Sequence, residues 1–326
     1  MHQLYRRTFL LGSACALSAV NGPAWAKYPD KTVKIIVPWA PGGSTDAIAR
    51  ALAQGLTEST KQTFLVDNRP GAAAQIGTDA AAKSPPDGYT LAIVELPHAI
   101  APAVVAKLPY DVLRDFAPIT LLGTSPMILF TGMGPELADL KTLIKTSLAA
   151  KAPPAIAHSG SGTVSHLVGE MFAVRTKVKF NQVPYRGSAP ALTDVAAGLV
   201  ACHFATLASG AALLSAGKIR AVAVAGKRRM DTPALRDVPT FGELGYKDFE
   251  INQWWALVAP ATTGVDTLEY LRSESIGAMA SPKVQERLST LGVDLKGSTR
   301  DQLRGFMRSE AERWQLVAKS INLQPQ

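Results

Sequence analysis

Two hydrophobic rhythms alternate along the chain. Val33-Lys34-Ile35-Ile36-Val37 is a short, β-branched run of the kind that forms a strand. Further on, Ile48, Ala51, Leu52, Gly55 and Leu56 fall at i, i+3, i+4, i+7 and i+8, one face of a helix. Between them lies Pro38-Trp39-Ala40-Pro41-Gly42-Gly43, a loop, followed by Ser44-Thr45-Asp46, residues that favour a helix N-cap. The same order recurs later. Pro154-Ala155-Ile156-Ala157-His158 predicts a strand, Ser159-Gly160-Ser161-Gly162-Thr163 a glycine-rich loop, and Val164, Leu167, Val168, Met171 and Phe172 repeat the helical spacing. A weaker third copy runs from the strand 180–185 through Arg186-Gly187-Ser188 into a helix over 189–197. Strand and helix in alternation predict α/β architecture with largely parallel sheets.

The strand–loop–helix unit has a chemical consequence. A helix start leaves backbone N–H groups unpaired, and the aligned peptide dipoles place about half a positive charge there. Glycines let a ligand approach the backbone without a Cβ in the way, and Ser and Thr hydroxyls add adjustable donors. Such a loop suits phosphate or carboxylate, and in open α/β sheets these loops gather at the carboxyl ends of the strands. Pro41-Gly42-Gly43 alone also fits a simple tight turn; Ser159–Thr163, with three hydroxyls between two glycines, is the stronger signal. Taken together they point to one anion held from two sides.

Composition narrows the possibilities. Of 326 residues, 47% are hydrophobic and 18% charged, which is ordinary globular chemistry and argues against disorder. The net charge of +8 comes from scattered Lys and Arg, the longest run being Lys227-Arg228-Arg229 with no aromatic ladder, so nucleic-acid binding is not expected. Arg6-Arg7, an apolar run from Phe9 to Val20 and Ala24-Trp25-Ala26 read as a signal peptide over 1–26, cleaved near Ala26. Tyr5-Arg6-Arg7-Thr8-Phe9-Leu10-Leu11 fits a twin-arginine signal as well as an ordinary one. The apolar run is shorter than the about 20 residues a bilayer requires. Periplasmic localisation follows as an expectation. Removing that segment removes Cys15 and leaves Cys202, which reads as a small buried hydrophobe.

Enzyme motifs fail on spacing. His158-Ser159-Gly160-Ser161-Gly162 is not the Gly-x-Ser-x-Gly elbow of a hydrolase. No lysine follows the glycines as a phosphate-binding loop needs, and the five histidines form no pairs at metal-ligand spacing. No catalytic residue, metal or cofactor is therefore expected. His166 stays among the candidates for the site, with a local hydrogen-bonding role as its other reading.

At these loops the chain resembles the Bug-type solute-binding receptors of tripartite tricarboxylate transporters. The likeness runs through Ala40-Pro41-Gly42-Gly43 with Asp46, Asn68-Arg69-Pro70-Gly71-Ala72, Pro86-Asp87-Gly88-Tyr89-Thr90-Leu91 and Leu108-Pro109-Tyr110-Asp111. It continues in Gly160-Ser161-Gly162, His166-Leu167, Val183-Pro184-Tyr185-Arg186-Gly187, Ala216-Gly217-Lys218-Ile219-Arg220 and Val238-Pro239-Thr240. Each motif is modest; their order and spacing over nearly the whole mature chain are specific. The resemblance implies a two-lobed periplasmic binding protein, type II-like, with two hinge strands and a ligand cleft between the lobes. It implies a small carboxylate ligand, the large and small membrane subunits of a transporter as partners, and a monomer. It brings Pro41, Gly42, Gly43, Ser44, Thr45 and Asp46 against Ser159, Gly160, Ser161, Gly162 and Thr163. It adds Tyr185, Arg186 and Gly187 from a second cleft-lining turn.

Two departures from the family pattern bear on the ligand. After the strand 91–94 this chain has Glu95-Leu96-Pro97-His98, where relatives have small or hydroxyl residues. Glu95 either turns into the cleft, where it would repel a second carboxylate and favour a cation, or points to solvent. Around Phe204-Ala205-Thr206, where many relatives carry an acid, this chain has none; Thr206 joins the candidate set. The lobes are expected to be discontinuous, 27–126 with 253–326 and 127–252. The crossings are expected at the apolar runs 126–130 and 254–258, and a packing helix over 301–321. Presentation of ligand to a membrane sensor, and an enzyme on the same fold, are the alternatives.

Overall fold

The structure is a computed structural model and describes residues 28–320. The expected signal peptide, with Cys15, lies outside them. The chain first lays down β1 (Val33–Val37), α1 (Ser44–Thr60), β2 (Phe64–Asn68), α2 (Gln75–Ala82), β3 (Thr90–Glu95), α3 (Leu96–Val104) and β4 (Phe116–Pro126). There follow β5 (Ile128–Thr131), α4 (Leu140–Ala149), β6 (Ala155–His158), α5 (Val164–Thr176), β7 (Asn181–Pro184), α6 (Ser188–Ala196), β8 (Cys202–Ala205), α7 (Leu207–Ser215) and β9 (Arg220–Val224). The last portion is β10 (Asn252–Pro260), α8 (Val265–Ala280), α9 (Pro282–Thr290), β11 (Asp294–Leu295) and α10 (Arg300–Ser320).

Two sheets result, one to a lobe. The first has the order β11-β4-β10-β3-β1-β2, the second β7-β6-β8-β5-β9. Each carries a parallel trio, β2-β1-β3 in one and β7-β6-β8 in the other, flanked by antiparallel strands. The parallel trios come from the repeated strand–loop–helix units. Apart from β11, which pairs antiparallel with β4, the antiparallel strands are those adjoining the passages between the lobes.

The chain leaves the first sheet at Pro126, passes Met127 and enters β5. It returns through Ile251 into β10. Met127 N–H donates to Ile251 O (2.9 Å), Ala225 N–H to Met127 O (2.7 Å) and Ile251 N–H to Ala225 O (2.9 Å), so the passages are laced together. The apolar run 254–258, expected at a crossing, lies wholly inside β10. That strand is covered on both faces, and burial on both sides requires an unbroken apolar run. Trp254 turns toward α10, donating to Glu310 (3.1 Å), while Trp255 on the opposite face donates to Thr45 of α1 (3.1 Å).

Leu303, Met307, Glu310 and Trp314 of α10 are buried and Phe306 packs on the same core, as the helical spacing predicts. In the second lobe Phe172, Phe204, Phe241 and Phe249 form one aromatic core, with ring centres 4.4 Å apart at Phe241–Phe249. Cys202 is fully buried in β8.

A glycine sets the position of the first-lobe loop. On Gly77 of α2, a β-carbon would lie 2.6 Å from Arg69 O and 2.9 Å from Pro38 Cα, so only glycine lets α2 press against the strand ends of β1 and β2. Gly77→Ala should destabilise the protein by about 1–3 kcal/mol through overpacking. Denaturant unfolding checks this; an unchanged midpoint would mean that α2 backs away at no cost.

Candidate functional site

The carboxyl ends of both parallel trios face one another across a cleft of about 650 Å³, counting space open to solvent. Five helices begin at its wall: α3, whose N-cap Glu95 forms a capping box with His98, and four others. The N-cap residues of those four, Gly43 of α1, Thr163 of α5, Gly187 of α6 and Thr206 of α7, all line it. In none of the four does the N-cap side chain cap its own helix. The α1 N-cap is Gly43; Ser44, Thr45 and Asp46, expected as cap residues, form its first turn.

The hydroxyls nearby are used to shape the loops. Thr163 Oγ1 donates to Gly160 O (2.7 Å), and Ser159 N–H donates to Ser165 Oγ (2.9 Å). Ser159 and Ser188 hydroxyls pair at 2.8 Å, tying the loop after β6 to the start of α6. Thr206 Oγ1, by contrast, is buried with no hydrogen-bond partner among the described residues. Arg186 is exposed on the cleft wall, and its side chain makes no hydrogen bond or ion pair among the described residues. The His158 and His166 rings pack behind the loop, centres 4.5 Å apart and tilted by 36°. Burial lowers both, His158 to about 4, so the positive character here comes from backbone and guanidinium.

Ten of the candidates come together on the cleft wall: Pro41, Gly43, Ser44, Thr45, Glu95, Ser159, Thr163, Arg186, Gly187 and Thr206. The others sit outside it for local reasons. Gly42 N–H donates to Asp46 Oδ2 (3.1 Å). Asp46 also accepts from Arg50 (3.0 Å) and Asn68 (3.0 Å), so it braces the turn. Burial opposes its ionisation, but the bonds from Arg50, Gly42 and Asn68 hold its carboxyl below the usual range. Gly160 and Gly162 turn the chain at positive φ, and Ser161 between them is exposed. His166 Nδ1 accepts the Gly162 N–H (3.2 Å), the local role weighed above. Tyr185 turns away to donate to Asp194 (2.6 Å).

Glu95 neither points to solvent nor stands free. It is 2% exposed at the cleft floor. Its Oε2 accepts from Thr45 Oγ1 (2.6 Å) and Gln253 Nε2 (2.7 Å), while Trp255 Nε1 donates to the same Thr45 hydroxyl (3.1 Å). Its backbone N–H donates to His98 Nδ1 (3.0 Å), and His98 Nε2 meets Thr78 Oγ1 (2.8 Å), which donates to Ala74 O. His98 is thus the neutral Nε2–H tautomer, and burial lowers it to about 4. Trp39 Nε1 is buried on the same side, near enough to favour the carboxylate yet without a hydrogen-bond partner.

Sequence reasoning missed Trp39, Met127, Ser165, Ser188, Ser209 and Gln253, all on the cleft wall. Ser188 and Ser165 could have been found as first-turn hydroxyls of helices already predicted. Met127 and Gln253 arrive from the passages between lobes, which no local pattern marks as cleft. Among the described residues no helix is long and apolar enough to cross a membrane.

A family model described as the tripartite tricarboxylate transporter family receptor matches residues 48–323. The chain is 36% identical over 314 residues to protein BugT of Bordetella pertussis, covering 95% of each. The solved structure of the periplasmic binding protein BugD superposes with a TM-score of 0.87 at 30% identity, covering 92% of this chain and 100% of that one. That of R. palustris Rpa4515 with adipate gives 0.88 at 30% identity, over 92% and 100%.

Burial pushes the Glu95 carboxyl up to about 7, against nearby donors Thr45, Trp39, Gln253 and Trp255 that favour the charged form. A carboxyl raised on folding contributes stability below its unfolded value near 4.5 and loses it as pH rises to about 7. Wild type should therefore fall behind Glu95→Gln by about 3 kcal/mol between those limits, and no further above them. Unfolding of both proteins across that range tests this. A constant difference would mean that Glu95 titrates as a solvated acid.

Proposed function

Because the chain belongs to the tripartite tricarboxylate transporter family of receptors, we propose that it captures a small carboxylate in its interlobe cleft. In this reading it works in the periplasm and delivers the ligand to the large and small membrane subunits of a transporter. One observation carries the proposal: helix starts from both lobes, uncapped by their N-cap side chains, open into one cleft.

The energetics are sufficient. Each helix end contributes about 0.3–1 kcal/mol to holding an anion, up to ~2 when partly buried. Hydrogen bonds to a charged group add about 1.5–3 kcal/mol each. A few of each reach about −8 kcal/mol, which is micromolar affinity. The unpaired guanidinium of Arg186 and the unpaired hydroxyl of Thr206 lie where such a ligand would sit. Pro41, Pro97, Met127 and Val164 supply apolar wall for a short hydrocarbon spine. A ligand touching both lobes favours the closed arrangement by its differential affinity for it. Adipate in the R. palustris relative is a carboxylate of the expected kind.

Two experiments test the reading. A panel of mono- and dicarboxylates should contain at least one that raises the melting temperature, since a ligand of the native state stabilises it by mass action. It should be recovered chemically unchanged at stoichiometric occupancy; flat melting curves or turnover would defeat the proposal. Gly43→Val should then abolish the ligand-induced shift without unfolding the protein. Gly43 has φ −82°, and no atom lies within 4 Å of where its β-carbon would be. Gly162 is a poorer choice. Its φ is +76°, and a β-carbon there would lie 2.7 Å from Val104 Cγ2 of the other lobe. Arg186→Ala should weaken binding by about tenfold, the loss of one charge-assisted bond. Unchanged affinity in both Gly43→Val and Arg186→Ala would place the ligand elsewhere.

A further inference from the structure

The cleft is not uniformly a place for negative charge. Its second-lobe wall presents donors: the starts of α5, α6 and α7, the Thr206 hydroxyl and the Arg186 guanidinium. The start of α1 adds donors from the first lobe. Beside it, however, the floor presents acceptors. Glu95 lies there, 2% exposed; Thr45 and Gln253 donate to its Oε2, and a capping box at the start of α3 brings the His98 backbone N–H to the same carboxylate. Gln253, 6% exposed, spends its Nε2 on that carboxylate (2.7 Å), and its Oε1 is buried with no partner among the described residues. The amide cannot simply turn round, because its oxygen would then face the carboxylate oxygen. The floor therefore offers one buried carboxylate and one buried, unpaired amide oxygen.

Ligands meet this floor differently. A second ligand carboxylate would put two like charges together, and one must then take up a proton. The proton so taken up leaves a single O–H donor, enough for the other carboxylate or for the Gln253 oxygen but not for both, and a buried acceptor left unpaired costs binding energy. An alkyl end spares the repulsion but pairs neither acceptor. A protonated amine supplies several N–H donors and the opposite charge. Burial, working against the surrounding donors, leaves Glu95 raised to about 7; an adjacent cation returns it to the charged form at neutral pH. A divalent metal ion fits poorly, because it needs more oxygen ligands than one carboxylate and one amide provide.

We propose that the cleft takes an amino-bearing monocarboxylate, with its carboxylate at the helix starts and its ammonium on Glu95 and the Gln253 side-chain oxygen, in preference to a dicarboxylate of matching length. The proposal deepens the carboxylate-receptor reading and rests on it. Glu95 and Gln253 are then the residues that set specificity, and Thr45 and Trp255 position Glu95 from behind.

Calorimetric titration of the full mature chain at about pH 8, where Glu95 is ionised, tests the preference. The ligands are short α- and ω-amino acids, dicarboxylates of matching length and the corresponding unsubstituted monocarboxylates. At least one amino acid should bind about tenfold or more tightly than its matching dicarboxylate. Glu95→Gln should erase or invert that preference. Gln253→Met, which removes the amide oxygen, should cost the amino acid more than the dicarboxylate, and it carries the test if Glu95→Gln does not fold. A wild-type protein that binds the dicarboxylate at least as tightly overturns the proposal and leaves the carboxylate reading standing. So does a preference that survives unchanged in the folded variants. Failure of every acid to bind would overturn both.

Discussion

The structure depends on what happens where a parallel strand ends and a helix begins. At that junction the backbone has N–H groups that no residue of the helix can satisfy. A side-chain cap can meet the need and is worth about 1 kcal/mol. Here four such junctions decline it. Gly43 and Gly187 have no side chain to offer, and Thr163 turns its hydroxyl to Gly160 O. Thr206 makes no side-chain cap either. Because the two sheets face each other by their carboxyl ends, these unspent donors are aimed at a common space. The stability forgone at each cap remains available to an anion.

That arrangement was largely legible along the chain because it is made of local units. The strand 33–37 matches β1 residue for residue, and the expected helix over 301–321 corresponds to α10, Arg300–Ser320. Local patterning also places Gly43, Ser159 and Thr163 in loops that line the cleft. It does not reveal which way a side chain turns within a loop. Asp46, Tyr185 and His166 look like polar residues bound for a ligand, and each is claimed by a neighbour: Arg50 and Asn68, Asp194, and the Gly162 amide. Ser161 differs from Ser159 only by the torsions of two glycines, and it faces outward. Gln253 and Met127 were beyond reach for another reason. Their place at the cleft is a property of the path between lobes, which only the assembled sheets define.

Glu95 shows the same limit more sharply. Both alternatives drawn from the sequence treated it as a free carboxylate, turned either to a ligand or to water. The side chains that donate to its Oε2 are fifty and more positions away: Thr45 on one side and Gln253 on the other. They convert it into a buried acid fixed by donors, with a protonation state set by burial more than by solvent. A charge of this sort is expensive unless something completes it, which is why a single residue can weigh so heavily on what the cleft accepts.

The cleft floor and the passages between the lobes are the same piece of structure. Met127 lines the cleft and is also the residue through which the chain leaves the first sheet, bonded to Ile251 and Ala225. Gln253 stands two residues beyond Ile251 on the returning strand. An anion bound only by α5, α6 and α7 would touch one lobe, and equal contacts in open and closed forms shift nothing. A ligand that reaches Glu95 and Gln253 as well ties those helix starts to β3 and β10, the strands of the opposite lobe. In the proposed pose, recognition at the floor would add to what the start of α1 contributes from the first lobe, and a molecule that leaves the floor acceptors unpaired would forgo those contacts.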